Sequence, residues 1–286
     1  MTVRRLAPGV ELVTVPGQGL AVRTQDGEFL RVDTGQVAAR ELVARFEGGR
    51  AGSPELEKLV AAFEAAGYAG SEGVPGECAA LPLTGRAVYV LGDKPMTDDL
   101  ARRAAEEGAD VRRPGREEIA ALAEHGGVLT DGKPAVVVWC LDSPVPEGLW
   151  DAADRLPAQG IGWLRCHREG FQAWIEPLAA EAGDVTAADV RLRRLAASPA
   201  HRELAAYWAG HRTSEVRGRG AEAGTALIVE LLTADLLAWA AGRRTEGGLP
   251  PRRRLRRVDL RDLKVAEHPV LPVPAVAPMP GRVAPR

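Results

Sequence analysis

Cysteine is scarce in this sequence. The chain has 286 residues and three cysteines. Cys78, Cys140 and Cys166 lie too far apart along it to form a CxxC pair or a disulfide ladder. This spacing excludes a small secreted scaffold that depends on disulfides, and we expect the protein to work in a reducing cytoplasm.

No segment has the composition of a signal peptide or a membrane span. The N-terminus lacks an apolar core of signal-peptide length. The longest apolar helical stretch, Ala221 to Ala241, is interrupted by Glu222, Glu230 and Asp235. We therefore expect neither export nor membrane insertion.

The sequence also has no excess of either charge. It contains 37 Lys and Arg against 39 Asp and Glu, a formal net charge of −2. This balance excludes a general attraction to nucleic acid or to anionic lipid. Five arginines between Arg252 and Arg257 make a local basic run, which we interpret as a solvated segment leading into a strand. The length suits two domains or one large domain.

Residues 1–70 carry strand signals followed by helix signals. Three strand-like runs, Val10–Val15, Gly19–Arg23 and Glu28–Asp33, are separated by Pro-Gly and Asp-Gly turns, which predicts a three-stranded meander. Two helical patterns follow, and Ser53 and Pro54 have the positions of an N-cap and a first helical residue. The apolar stripes of these helices are Val37, Leu42, Val43 and Phe46, then Leu56, Leu59, Val60 and Phe63. We predict a small module of winged-helix type.

A different pattern begins after a stretch rich in glycine and proline, Gly67 to Thr84. We place a linker at residues 71–84 and a second domain at 85–286. Apolar runs at Ala87–Leu91 and Ala135–Leu141 alternate with helical patterns, which predicts an α/β domain with a doubly wound, mainly parallel sheet. Its other predicted elements are helices at Thr97–Gly108, Arg116–His125, Ala200–Gly210 and Ala221–Gly242, strands at Ala109–Arg112, Gly160–Cys166 and Phe171–Pro177, and a hairpin of Leu255–Leu260 and Leu263–Glu267.

The turn after Leu91 departs from a phosphate-binding loop. It reads Gly-Asp-Lys-Pro-Met-Thr, so Lys94 and Thr97 occupy positions that should be small. Pro95 lacks an amide donor, and Asp93 would repel phosphate. We expect no bound nucleotide and no other cofactor.

Several segments resemble a known family. They are the run from Ala135 to Pro177, with Asp142 and Ile161-Gly162-Trp163-Leu164, and the ending Val258-Asp259-Leu260 with His268 to Pro274. These look like the ThiF-like domain found in the biosynthesis of azole-containing ribosomal peptides, and the N-terminal strands and helices look like the peptide-recognition element that precedes it. The resemblance implies a non-catalytic protein that captures the leader of a precursor peptide and docks onto a YcaO-type cyclodehydratase. It also implies self-association through the sheet domain into a homodimer.

Two departures from that family are visible. Members with structural zinc carry cysteine pairs where this chain has Glu181 to Val190 and Pro272 to Gly281, and both stretches lack cysteine. Because four thiolates complete such a site, we expect no bound metal. The connection from Phe46 to Glu55 is also too short for the extra helix often found between the two helices of the recognition element.

The resemblance assigns the peptide site to the third strand and the second helix. A free strand edge can pair with an added peptide strand, and a helix can supply pockets. The candidate contacts are Phe29, Arg31, Leu56, Leu59, Val60 and Phe63. Core packing is an equal alternative for each apolar member, and Arg31 is either an exposed surface residue or a contact to an acidic leader.

Other chemically active or aromatic residues stand out in the sequence. Adjacent residues of a strand face opposite ways, so Cys166 and His167 cannot share a proton as a catalytic pair. Asp142 ends an apolar strand, and we expect it to cap a turn. His201 and His211 read as surface residues, and Trp139, Trp150, Trp163 and Trp174 as core or interface anchors.

Two other functions stay open. A ThiF-like adenylating enzyme would need ATP contacts, which look lost. A winged-helix transcription regulator would need a basic recognition helix, but Glu55, Glu57 and Glu64 make the helix after Ser53 acidic. We therefore expect no nucleic-acid partner.

Overall fold

A computed structural model describes residues 4–71, 81–126, 132–211, 222–242 and 248–274. The chain divides into two compact units, Met1–Ala79 and Ala80–Arg286, and each is described by itself. Cys78, most of the predicted linker 71–84, and residues 275–281 of the second stretch in which zinc ligands are missing lie outside the described residues.

The first unit has the predicted winged-helix-like order of strands and helices. Its elements are β1 (Arg4–Leu6), β2 (Glu11–Val15), β3 (Gly19–Arg23), β4 (Phe29–Val32), α1 (Ala39–Phe46), α2 (Pro54–Ala65) and β5 (Ala69–Ser71). The antiparallel meander β2-β3-β4 is confirmed. The segment between α1 and α2 contains no further helix.

The N-terminus of α2 forms as its sequence predicts. The Ser53 side chain accepts a hydrogen bond from the Leu56 N–H over 3.2 Å, and Pro54 is the first helical residue. This arrangement satisfies one of the amides that a helix start leaves without a partner. The stripe of α2 packs with Leu42 and Phe46 of α1 in the core of the first unit.

The short strands β1 and β5 pair antiparallel, with Leu6 opposite Ala69. They were not predicted, because three residues give too few alternations to show a period of two. The first residues of the glycine- and proline-rich stretch, Gly67 to Thr84, therefore belong to the first unit and not to a linker. At its other end Leu83 is fully buried in the second unit, since it packs into the core of that unit.

The second unit is built on a seven-stranded sheet of order β12-β11-β10-β9-β8-β6-β7. The four strands β7, β6, β8 and β9 run parallel, and β10, β11 and β12 continue as an antiparallel meander. The predicted fold class is thus confirmed. The strands are β6 (Ala87–Gly92), β7 (Asp110–Arg112), β8 (Ala135–Cys140), β9 (Gly162–Glu169), β10 (Gln172–Ile175), β11 (Arg254–Asp259) and β12 (Lys264–Pro269).

Helices cover both faces of this sheet. On one face Leu100 of α3 (Met96–Glu106) and Leu232 of α7 (Glu222–Ala241) join the apolar core with Val138 of β8. On the other face Leu122 of α4 (Arg116–His125) and Leu156 of a 3-10 helix (Ala153–Gln159) pack with Trp163. The helices α5 (Ala187–Ala197) and α6 (His201–Trp208) follow β10 in the chain.

Helix α7 is long and apolar enough, by length and composition, to cross a membrane. In this structure one face of it is part of the core. Ile228 and Leu236 belong to the apolar core beneath the sheet, and Asp235 is buried among arginines of β11. A buried charge that is paired inside the protein is typical of a folded core.

The arginine run before and within β11 corrects our interpretation of a solvated segment. Arg254 and Arg256 donate hydrogen bonds to the two carboxylate oxygens of Asp235 over 2.7 and 2.6 Å. Arg252 donates to Asp184 over 2.7 Å. Alternate arginines face α7 because a strand directs every second side chain to the same face.

Helix α5 was missed in the sequence. Thr186 accepts a hydrogen bond from the Asp189 N–H over 3.0 Å, and Asp189 accepts one from the Thr186 N–H over 2.9 Å. This is a complete capping box. A Thr followed three residues later by Asp was therefore the signal that could have located the helix.

Candidate functional site

Strand β4 forms an open edge of the first unit. It pairs with β3 and with no other strand in the described part of the chain. Phe29 is 62% exposed and Leu30 is 42% exposed. Arg31 is also exposed and donates a hydrogen bond to Gln18. An edge that shows both unpaired backbone and apolar side chains is suited to pairing with another strand.

The hairpin geometry shows which amides face this edge. Thr24 donates its N–H to the Glu28 carbonyl over 2.9 Å, so this pair is hydrogen bonded. Bonded pairs alternate along an antiparallel ladder, and the next is Val22 with Leu30. The N–H and C=O groups of Phe29 and Arg31 therefore point away from β3, toward the open edge.

A groove adjoins the edge. Val10, Leu30 and Tyr68 supply its apolar surface, and its volume is about 250 Å³. Asp26 and Glu28 line the same groove and give it negative charge. A strand added to β4 would place alternate side chains toward this groove.

The predicted contacts divide into two groups. Phe29 and Arg31 are exposed on β4, and Leu59 is partly buried. Leu56, Val60 and Phe63 are buried in the core of the first unit, which agrees with the core-packing alternative for these three residues. The period of α2 identified its apolar face correctly, but that face packs inward onto α1 and the meander.

The turn after β6 uses its backbone amides internally. The Asp93 N–H donates to the Cys140 carbonyl over 2.8 Å, and the Asp98 N–H donates to the Pro95 carbonyl over 3.0 Å. A Cβ at Gly92 would lie 1.7 Å from the Cys140 carbonyl oxygen. The backbone is thus closed against β8, where a phosphate-binding turn would present free amides.

Asp142 does not cap a turn, which corrects that expectation. Its carboxylate forms an ion pair with Arg168 of β9, and its N–H donates to the Asp93 carboxylate over 2.9 Å. Asp142 follows β8, and Arg168 lies near the end of β9, so the pair ties two parallel strands together at their carboxyl ends.

Hydrogen bonds join the two segments that carry zinc ligands in the resembled family. Asp189 accepts a hydrogen bond from the Val273 N–H over 2.9 Å. Arg193 donates to the Leu271 and Pro272 carbonyls over 3.2 and 3.0 Å. Within the described ranges, no cluster of three or more His, Cys, Asp and Glu could hold a metal ion.

A polar cluster of the second unit lies on the face of β9 that carries the His167 side chain. Glu169 accepts hydrogen bonds from Arg194 over 2.6 Å and from the Trp208 indole over 2.7 Å. Burial raises the pKa of Glu169, but hydrogen bonds from His167 and Arg194 outweigh it and hold the pKa well below its usual range. Arg194 also stacks on Trp174, with 3.8 Å from its guanidinium carbon to the ring centroid.

The same cluster continues to β10. Arg165 donates to Glu176 over 2.7 Å, and both are buried. Cys166 packs into the opposite core, as the alternation of a strand requires. The cluster was missed in the sequence because its members come from β9, β10, α5 and α6. The alternation of Arg165, His167 and Glu169 along an otherwise buried strand was the available signal.

Solved structures share this fold at low sequence identity. A heterocyclase solved with substrate and cofactor has a TM-score of 0.63 and 12% identity over 95% of this chain. The heterocyclase TruD has a TM-score of 0.60 and 13% identity over 94% of this chain. The chain spans 39% and 41% of the length of these two proteins.

The E. coli protein MccB matches along its whole length. Its TM-score is 0.60 at 10% identity, over 100% of this chain and 99% of that chain. No protein-family model and no curated protein sequence matches the chain. At these identities the likeness shows the fold.

Proposed function

We propose that this protein binds the leader of a ribosomally made precursor peptide and presents it to a modifying enzyme of the YcaO type. The observation that carries the proposal is the open edge of β4. Its outward N–H and C=O groups at Phe29 and Arg31 offer hydrogen bonds to an added strand, and the groove beside Leu30 offers a pocket for its side chains.

The fold supports the proposal. Two of the similar structures are heterocyclases, and one of them was solved with its substrate. MccB was also solved with MccA. In this proposal peptide binding belongs to this chain, and the modifying chemistry belongs to a partner enzyme. Docking to that partner belongs, in this proposal, to the second unit, which also forms a homodimer in the cytoplasm.

The turn after β6 favours a non-catalytic role. MccB was also solved with ATP. Here the amides of Asp93 and Asp98 are engaged, and Gly92 packs against β8. A phosphate would find few donors at this helix start. ATP–pyrophosphate exchange tests the alternative of an adenylating enzyme, and we expect none above background.

The acidic face of α2 argues against a transcription regulator. Glu57 pairs with Arg45 over 2.8 Å, and Glu64 pairs with Arg4. Arg45 of α1 and Arg4 of β1 are therefore engaged in ion pairs within the first unit. We expect no DNA binding that weakens with salt, as measured by fluorescence polarisation.

The proposal is tested by fluorescence polarisation with the full-length protein. The probes are fluorescein-labelled leader segments of short peptides encoded beside the gene. Arg31→Pro removes an outward N–H and leaves the bonds to β3 intact, since proline is tolerated on an edge. We expect it to raise the Kd at least ~10-fold, an effect of about 1.4 kcal/mol.

Two variants serve as controls. Arg31→Ala removes the same side chain and keeps the N–H. Any further loss of affinity in Arg31→Pro is therefore due to the missing backbone hydrogen bond. Thr14→Pro is the matched change on β2, the opposite edge of the meander. Val13 lies opposite Ala21 and bonds to β3, so the N–H of the next residue, Thr14, points outward and is the one that proline removes. Equal binding by Arg31→Pro and Arg31→Ala, or an equal loss in Thr14→Pro, would contradict pairing at β4.

A further inference from the structure

A cavity of about 110 Å³ lies in the second unit, and the turn after β6 contributes no residue to its lining. Its inner wall is formed by the buried residues Trp150, His167, Glu176 and Trp208. Its mouth is formed by exposed residues that include Asp151 of the loop after β8 and Ala188 at the start of α5. The cavity therefore leads from solvent to the polar cluster of β9.

Two of the lining residues have a buried nitrogen atom that finds no hydrogen-bond partner among the residues the structure describes. The two atoms are Nε1 of Trp150 and Nδ1 of His167. The indole nitrogen can only donate, and leaving a buried donor without an acceptor is unfavourable. The two rings meet edge to face with 5.7 Å between centroids. The cavity thus brings unused hydrogen-bonding capacity to one place.

The charges around the cavity are balanced. Glu176 is paired with Arg165, and Glu169 is paired with Arg194. Asp151 at the mouth and Arg191, whose guanidinium carbon lies 5.0 Å from the Trp208 ring centroid, have opposite charges. The lining has no excess of either charge, and burying a ligand with a net charge would be costly.

The size and walls of the cavity favour a small flat group. An engineered cavity of about 150 Å³ holds benzene, so this one suits a group no larger than one side chain. The group must accept a hydrogen bond from Trp150. Glu176 faces His167 Nδ1 with 3.7 Å between Oε1 and Nδ1, and it offers an acceptor to a donor on the ligand. A carboxamide is flat, neutral, and both accepts and donates.

We propose that this cavity is a binding site for a carboxamide group, which accepts a hydrogen bond from Trp150 Nε1 and lies between Trp150 and Trp208. The site is independent of the open edge of β4. The carboxamide belongs either to a free small molecule or to an Asn or Gln side chain of a peptide.

The test observes the indole N–H resonances of the protein by ¹H–¹⁵N NMR. The sequence has six tryptophans, and Trp150→Phe identifies the Trp150 resonance by its loss. Propionamide should shift the Trp150 indole proton downfield with saturation. Propionate, of the same shape but charged, should bind at least ~10-fold more weakly, about 1.4 kcal/mol. N-acetyl-asparagine methylamide represents a peptide side chain, and tighter binding than propionamide would identify a peptide as the source.

A variant at the mouth of the cavity tests the site without changing a buried residue. Ala188→Leu fills the entrance from an exposed position of α5 and should abolish the shift. Ala196→Leu is exposed on the same helix outside the cavity and should leave it unchanged. The proposal is overturned if neither amide gives a saturable shift, which would mean that the cavity holds water, or if propionate binds as tightly, or if Ala188→Leu has no effect.

Discussion

Asp235 and Arg256 form a buried ion pair between α7 and β11. Arg256 Nη1 donates to Asp235 Oδ2 over 2.6 Å, and both side chains lie within the second unit. Arg254 donates to the other carboxylate oxygen. The pair explains why an acidic residue stands in an apolar helix, since it fixes α7 over the antiparallel end of the sheet.

Removing one member of this pair should be costly. Asp235→Asn leaves Arg254 and Arg256 with Glu267 as their remaining carboxylate partner, over 3.5 and 3.1 Å, and that side chain is 37% exposed. We expect the free energy of unfolding to fall by about 3 kcal/mol. Glu230→Gln on the same helix breaks an exposed pair with Arg103 and should cost less than about 1 kcal/mol. Urea unfolding followed by circular dichroism measures both, and similar losses would show that the buried pair does not hold the helix.

Gly92 is required by both its backbone angle and its surroundings. Its φ is +122°, and a Cβ would meet the Cys140 carbonyl oxygen at 1.7 Å. Gly85 has a φ of +76° with nothing within 4 Å of a Cβ. Gly85→Ala should cost about 1–2 kcal/mol from strain alone. Gly92→Ala should cost at least ~3 kcal/mol by urea unfolding, and equal losses would contradict the close approach of β6 to β8.

Acid should destabilise the second unit partly through Glu169. Because its pKa is lowered by folding, its contribution is complete above the unfolded pKa, near 4.5, and is lost as the pH falls further. Glu169→Gln should lower the Tm at pH 7 and flatten its decline between about pH 5 and 3. Glu203→Gln, an exposed change on α6, should keep the wild-type slope. A wild-type slope in Glu169→Gln would refute this assignment.

The thiols of the second unit should be unreactive in the folded protein. Burial, and then the charge of Asp93, raises the pKa of Cys140 to about 12. Burial also raises the pKa of Cys166 well above its ordinary value. In a Cys78→Ser variant, iodoacetamide at pH 8 should label no thiol in the native protein and both in urea. An added Ala196→Cys should be labelled at once, and native labelling of Cys140 or Cys166 would contradict their burial.

The sequence predicted the elements that have strong periodicity and missed those defined by partners. The apolar runs at Ala87–Leu91 and Ala135–Leu141 located the centre of the sheet, because strands buried on both faces have few polar residues. The pairs β1–β5 and Asp235–Arg256 depend on contacts between distant segments, so no local pattern shows them. For the candidate site, Phe29 and Arg31 were placed correctly on an exposed edge. For Leu56, Val60 and Phe63 the sequence left core packing and peptide contact open, since an apolar stripe has the same period whether it meets a peptide or a core.

Amide exchange at β4, measured by NMR on the full-length protein with and without the leader segment that binds most tightly, tests strand addition most directly. We expect the amides of Phe29 and Arg31 to exchange rapidly in the free protein and to be protected at least ~10-fold on binding, about 1.4 kcal/mol. The amide of Leu30, which bonds to β3, should already be protected. Protection confined to other residues, with Phe29 and Arg31 unchanged, would contradict recognition by strand addition at this edge.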